Sequence, residues 1–351
     1  MDWQIAGFLT IDGITSGVVY ALLALALVLV YSVTRVILVP LGELLAFGGL
    51  TLALLEHGRA PATTWLLIAL GALCFLLELI AAFRRGAPRA GRTQALLIVV
   101  LKFLAFPLAL HLLVRQLAPL ALPGPLDMLL TALIVIPMGP MLYRIAFQPV
   151  AEVSSLMLLI IAVAVHFALT GLGLVMFGPE GWSARPIWEA GFEFAGLPVS
   201  GHSLVVAGST LVLILALYLF FTHTLSGKAL RATAINRRGA RLIGVGAAQS
   251  GRLAFTLASA IVVIGGMLTV PITALTYDGG FVIALKGFIG AIVGGLVSFP
   301  LAAAGALLVG LLEAFSSFWA SSYKEVIVFT LVLPVLLWRS LATRHHHDEE
   351  E

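Results

Sequence analysis

A chain of 351 residues that is 61% hydrophobic and 11% charged holds less than half the charged fraction of an ordinary soluble domain, about 25%, so water is not its main solvent. A mean hydropathy of +1.10 over the whole length excludes a soluble domain on one anchor, because a spanning helix needs only about 20 apolar residues. A net charge of +3 from 20 basic residues in so greasy a chain indicates cytoplasmic loops rather than nucleic-acid binding, and the single cysteine, Cys74, excludes an intrachain disulfide or any multi-cysteine metal or iron–sulfur site.

The N-terminus starts with Asp2 and has no basic n-region or cleavage signature, so the first apolar segment is expected to stay in the mature protein. Apolar stretches then fall at about 13–34, 36–55, 63–83, 95–118, 126–143, 154–177, 203–223, 251–272, 281–299, 301–318 and 323–339. Each is near the length that crosses a bilayer. Lipid offers no hydrogen bonds to the backbone and the alternation of a barrel strand is missing, so all are expected to be helices. The fold class is therefore an all-α polytopic membrane protein with about ten or eleven transmembrane helices.

The distribution of Lys and Arg sets the expected orientation. With the N-terminus outside, Arg35, Arg84, Arg85, Arg89, Arg92, Lys102, Arg144, the run from Lys228 to Arg252, Arg339 and Arg344 lie in the cytoplasm. Only Arg59, Arg115, Arg185, Lys286 and Lys324 lie outside, a threefold bias toward N-out and C-in. The 178–201 loop, with Glu180, Glu189, Glu193, Trp182 and Trp188, is then external and its tryptophans suit the headgroup boundary.

Polar groups inside spans are costly and are functional candidates. Glu43 follows Pro40 and Gly42 at the start of a span and could line a solute path or bridge to Arg35. Glu78, near a cytoplasmic end, can snorkel or pair with Arg84. Cys74 is expected to pack, and His111 and His166, isolated among apolar residues, to be buried and hydrogen-bonded. Glu313, near the middle of the 301–318 span, pairs within the bundle or faces an aqueous path. No His, Cys, Asp or Glu pair has metal-ligand spacing.

The stretch 226–250 is the one long polar segment between spans. Ala229, Ala232, Leu242 and Ile243 can form an apolar side opposite the arginines, with Gly239 interrupting the pattern. Such a segment lies in the interface plane or docks in a partner's groove. Gly227-Lys228 is not a nucleotide loop, since Thr222 and Ala229 stand where that loop needs Gly and Ser or Thr.

Gly290-x-x-x-Gly294 and Ala306-x-x-x-Gly310 allow close helix approach. Gly265-Gly266-x-x-Thr269-x-Pro271 and Gly294-Gly295-x-x-Ser298-x-Pro300 share a pattern, either from facing broken helices or by coincidence; a helix break at each proline is expected. Residues 1–340 form one membrane domain, and 341–351, with three histidines and four acids, a charged tail. Nothing in between is long and polar enough for a soluble domain, so any catalytic or solute-capturing domain must come from another polypeptide.

Four stretches in order resemble the permease subunits of branched-chain amino-acid ABC importers. They are Gly13 to Leu27 with Tyr31, Arg35-Val36-Ile37 and Gly42-Glu43; Tyr143 to Val150; Ser226 to Val245; and Lys286-Gly287-Phe288, Gly290, Gly294 to Pro300, Glu313-Ala314 and Tyr323-Lys324-Glu325. Two features depart from that family. Leu38 to Leu41 replaces a polar stretch before Gly42-Glu43, and 66–118 carries about two extra spans around the basic loop Arg84 to Arg92.

The resemblance implies a subunit without its own ATPase site, working with two ATPase subunits that hold ATP and Mg, a second permease chain and an extracytoplasmic solute-binding protein. It implies a bacterial inner-membrane location and branched-chain amino acids or similar small polar solutes as cargo. The segment Arg231 to Val245 would then transmit ATPase closure to the bundle, through Arg231, Ala234, Asn236, Arg237, Arg238, Arg241 and Gly244. Glu43 and Glu313 would lie on the translocation pathway. The rival reading is a carrier driven by an ion gradient; a membrane-embedded enzyme would need a polar cluster at one face that the sequence does not show.

Overall fold

In lipid each backbone N–H and C=O must be satisfied within its own segment, and the apolar runs respond by coiling. The computed structural model describes residues 3–84, 92–120, 122–194, 196–330, 334 and 337. The first helices are α1 (Trp3–Thr34), α2 (Leu41–Glu56), α3 (Thr63–Arg84), α4 (Arg92–Val100), α5 (Phe106–Leu117), α6 (Gly124–Val135), α7 (Met138–Leu142) and α8 (Ser155–Phe177). After a hairpin of β1 (Gly191–Phe194) and β2 (Leu197–Ser200) come α9 (Gly201–His223), α10 (Leu225–Ile235), α11 (Arg237–Leu242), α12 (Ala247–Thr269), α13 (Gly279–Val293), α14 (Phe299–Ala320) and α15 (Lys324–Thr330).

Among the described residues, eight helical runs are long and apolar enough to cross a membrane: 3–34, 63–84, 96–120, 124–150, 155–177, 201–223, 247–269 and 299–330. The chain is thus an all-α polytopic membrane protein. The expected spans at 36–55 and 281–299 are shorter than read from hydropathy. Arg35 takes a left-handed conformation (φ 60°) and Pro40 precedes α2, so this helix has 16 residues, about 24 Å at 1.5 Å per residue. α13 stops at Val293 after 15 residues, where Gly295 and Leu296 both turn left-handed (φ 69° and 60°). The two expected spans at 301–318 and 323–339 join in one apolar run through Thr330. The rest of the second, like Arg85, Arg89, Arg339, Arg344 and the 341–351 tail, lies outside the described residues.

α1 forms the axis. Of its most apolar window, 83% is buried, against 11% for α9, and α12, α13 and α14 pack along it, with α9 and α10 also touching it. Small residues set this packing: a Cβ on Gly310 would strike the backbone of Gly13 and Gly17, one on Gly266 the Leu45 carbonyl, and one on Gly290 the Ala306 backbone. The expected glycine and alanine seams are therefore real contacts. The two Gly-Gly patterns behave differently. α12 ends at Thr269, just before Pro271, but Pro300 starts α14, so there the break belongs to Gly294 to Leu296.

The stretch 66–118, expected to hold about two extra spans, falls in α3, α4 and α5 with a π-helical turn at Leu101–Ala105. Pro107 has no N–H for the Phe103 carbonyl four residues back, and that carbonyl points at Gly71, where any Cβ would collide with it. Cys74 is buried and free on the same helix. Glu78 pairs with Arg144 at 2.9 Å, not with Arg84, which ties the insertion to the link after α7. His111 meets Thr64 Oγ1 at 2.9 Å, so it is hydrogen-bonded but half-buried.

At the opposite end the 178–201 loop is held down. Trp182 and Leu275 exchange backbone hydrogen bonds of 2.9 Å, the Arg59 guanidinium lies over the Trp182 ring, and Glu56 accepts from the Arg185 N–H at 2.8 Å.

Candidate functional site

Thr224 leaves α9 in extended geometry and its hydroxyl accepts from the Gly227 N–H at 3.0 Å, an N-cap that starts α10. Gly227 is required there, because a Cβ would strike the Phe220 carbonyl. The break in the segment is not at Gly239 but at Asn236 (φ −145°, ψ 98°). Asn236 ends α10 and caps α11 by accepting from the Gly239 N–H at 2.9 Å, so Gly239 sits inside α11. Gly244 (φ 88°) closes α11, with the Val245 N–H bonded to the Ala240 carbonyl at 2.9 Å, the usual left-handed helix stop.

The expected apolar side is divided. Leu230, Thr233 and Ala240 face the bundle, whereas Leu242 and Ile243 are 89% and 76% exposed, beside an equally exposed Ile235. Arg231, Asn236, Arg238, Arg241 and Gly244 are also exposed, and Ala234 and Arg237 half-buried. The exposed residues of the segment therefore combine three large apolar side chains with arginines.

Three contacts tie this segment to the rest of the chain. Arg237 Nε donates to the Val33 carbonyl at 3.0 Å, one of the last carbonyls of α1, which have no partner within the helix. Burial lowers the Arg237 pKa, though a guanidinium stays cationic in any case. Thr233 and Ser250 hydroxyls meet at 3.2 Å, joining α10 to α12, and Arg241 pairs with Glu152 at 3.0 Å. Leu230 also packs against Val33 of α1 and Ala254 of α12, beside a cavity of about 590 Å³ bounded by Leu29, Phe221, Leu230 and Arg231.

Glu43 and Glu313 are not brought together. Glu43 is fully buried, with His166 Nδ1 2.6 Å from its Oε1 and the Thr170 hydroxyl donating to the same oxygen at 3.3 Å. Its Oε2 has no hydrogen-bond partner among the described residues. His166 also stacks on Phe281 at 4.3 Å, so it is buried as expected but not isolated, and Arg35 is not the partner of the Glu43 carboxylate. Arg35 instead lies over Tyr31.

Glu313 accepts from the Tyr20 hydroxyl and from Lys286 Nζ, each at 2.5 Å. Lys286 is only 5% exposed, so it is a bundle residue and not one of the external loop cations. α13 thus carries Phe281 against one buried polar cluster and Lys286 into the other, about 7.5 Å further along the helix axis. His166, Lys286 and Tyr20 were not singled out as partners from the sequence. The available signal was that His166 is the one ionisable side chain of α8, a helix that could satisfy it only through another helix.

The family described as branched-chain amino acid transport system, permease component, matches residues 9–336. Among curated proteins, the chain is similar to the high-affinity branched-chain amino acid transport system permease protein BraD of Pseudomonas aeruginosa, with 26% identity over 57% of this chain and 68% of that protein. It is also similar to the permease protein LivH of the corresponding system in Escherichia coli K12, with 30% identity over 55% of this chain and 65% of that protein. The matches therefore span about two thirds of these relatives. No solved structure matches.

Proposed function

Because the chain belongs to the family of branched-chain amino acid transport system permease components, we propose that it forms the translocation pathway of an ATP-binding-cassette importer for branched-chain amino acids or related small polar solutes. It works in the bacterial inner membrane with its N-terminus outside and C-terminus in the cytoplasm. Its partners are two ATPase subunits, which hold the nucleotide and magnesium, a second permease chain, an extracytoplasmic solute-binding protein and membrane lipid.

The observation that carries this reading is the bond from Arg237 to the end of α1. The exposed patch of Ile235, Leu242 and Ile243, rimmed by Arg231, Arg238 and Arg241, suits a partner's groove with an acidic border. Movement of that patch reaches α1 through Arg237 and α12 through Thr233. α1 is buried along most of its length, so it cannot move without its neighbours. Closure of the ATPases would thereby select one of two bundle arrangements.

We place the pathway beside α13, between the Glu43–His166–Thr170 and Tyr20–Glu313–Lys286 clusters. A short helix whose ends fall inside the bilayer leaves backbone groups free to meet a polar solute, and the unpartnered Glu43 Oε2 supplies a carboxylate for an amino group. A carrier driven by a proton gradient is the competing reading, and the buried Glu43–His166 pair is the observation in its favour.

The deciding experiment is reconstitution of the chain into proteoliposomes with and without the ATPases, the partner permease and the binding protein. Leucine-stimulated ATP hydrolysis and uptake only in the full assembly is the expected result. Nucleotide hydrolysis or gradient-driven uptake by the chain alone would overturn the assignment.

A further inference from the structure

Two cavities away from the polar clusters meet at Arg144 and Arg252. One is an apolar groove of about 510 Å³ between the extra helices and the bundle, walled by Leu101, Phe103, Phe106, Pro140 and Met141 and including Lys102. The other, of about 420 Å³, is lined by Glu78, Gln148, Gln249 and the backbone of Gly244 and Gly246. Both include Arg144 and Arg252, so together they make one site with an apolar arm and a polar chamber.

Neither wall can straighten to close the groove. On one side Pro107 holds open the π-helical turn at Leu101–Ala105. On the other Pro137 separates α6 from the five-residue α7, which itself contains Pro140. The arm opens outward, since Ile98 and Leu101 are 63% and 54% exposed on a face that lies toward lipid.

The charges do not balance. Among the described residues Glu78 is the one acid lining the chamber, and its Oε1 is engaged by Arg144 at 2.9 Å. Arg252 Nε is turned to the Ala248 carbonyl of its own helix at 3.3 Å, and Lys102 lies over the neighbouring Phe103 ring. Neither has a carboxylate partner among the described residues. The start of α12, which has no side-chain cap at Gly246, borders the same chamber through Gly246, Ala248 and Gln249 and brings the positive end of the helix to it. Gln148 Oε1 is buried there without a hydrogen-bond donor. A group with negative charge, at least one hydroxyl to donate and an attached apolar chain satisfies every one of these features.

We propose that this is a binding site for one anionic phospholipid, with its phosphate between Lys102, Arg144 and Arg252 and an acyl chain along the groove. A glycerol headgroup supplies the hydroxyl for Gln148. The lipid joins the inserted helices, through Lys102 and Glu78–Arg144, to Gly244 at the end of the coupling segment. This gives the helices that depart from the family pattern a task of their own, independent of which solute is carried.

The test uses the full-length chain in a mild nonionic detergent, with phosphatidylglycerol and phosphatidylcholine binding titrated by native mass spectrometry. Phosphatidylglycerol is expected to bind at least ~10-fold more tightly. Replacing two headgroup cations, Lys102→Gln with Arg252→Gln, should weaken it about 30-fold, from roughly one lipid-attracting charge each. Leu101→Trp, which fills the groove without touching charge, should also displace the lipid, while excess inorganic phosphate should not. Equal binding of the two lipids, or unchanged phosphatidylglycerol binding in either variant, overturns the proposal. Displacement by inorganic phosphate overturns it in favour of a free-anion site. Should the double variant fail to fold, Leu101→Trp and the phosphate competition on the unaltered chain still decide the matter.

Discussion

Arg237 Nε and the Val33 carbonyl, 204 residues apart in sequence, share a hydrogen bond of 3.0 Å. The bond joins an exposed surface segment with a helix whose most apolar window is 83% buried. A carbonyl at a helix end carries part of the negative pole of that helix, so a guanidinium suits the place on charge as well as geometry.

Arg237→Ala should cut leucine-stimulated ATP hydrolysis by the assembled importer tenfold or more, because a hydrogen bond to a charged group contributes about 1.5–3 kcal/mol. Arg237→Glu with Arg238→Glu should abolish stimulation altogether while membrane insertion stays intact. The measurement is ATPase rate with and without solute-loaded binding protein, beside the amount of chain in the membrane. Normal stimulation in the double variant would remove Arg237 from the coupling route.

The buried Glu43–His166 pair makes a second expectation. Glu43→Ala strips His166 of its partner and should lower stability by about 1–3 kcal/mol, together with loss of uptake. Glu43→Leu with His166→Leu, which removes both polar groups, should recover most of that stability and none of the transport. Thermal unfolding in detergent, read against uptake in vesicles, separates the two effects. If the double variant transports, Glu43 has no place on the pathway.

Helices and seams were legible from local pattern, because lipid forces every long apolar run to coil and small residues four apart mark where coils touch. The reach of α2 and α13 was not, since hydropathy counts Val36 to Val39 as spanning although Arg35 and Pro40 hold that stretch out of a helix. The 226–250 segment is visible as a basic run, but composition puts the interruption of its pattern at Gly239. The capping capacity of Asn236 decided it instead, through its bond to the Gly239 N–H. Partners across the bundle were beyond local reading. Glu78 took Arg144, 66 residues away, and Glu43 took His166, 123 residues away, and only the packing of α3 on α7 and of α2 on α8 brings these together.

Buried Lys286 and half-buried Glu313 form an ion pair with Tyr20 as a third member. Lys286→Met or Glu313→Met alone leaves one uncompensated charge and should cost about 3 kcal/mol or more, whereas the double replacement should cost much less. Thermal unfolding of the four proteins forms a double-mutant cycle. Additive losses would mean that the pair does not act as a unit, and that α13 is held by its glycine contacts alone.

The glycine contacts can be tested apart from any charge. A side chain at Gly310 meets the backbone of Gly13 and Gly17, which cannot rotate away as a side chain could, so α1 and α14 must separate to admit it. Gly310→Val should therefore cost about 3 kcal/mol and reduce the folded fraction sharply. Gly208 in α9 has no atom within 4 Å of the place a Cβ would occupy. Gly208→Ala should raise stability by about 0.4–1 kcal/mol, because it narrows the unfolded ensemble without a clash. Opposite shifts in unfolding temperature for these two variants are the expected result. Equal shifts would mean that the seam between α1 and α14 is no tighter than the outer face of α9, and the central place of α1, on which its role as the moving element rests, would go with it.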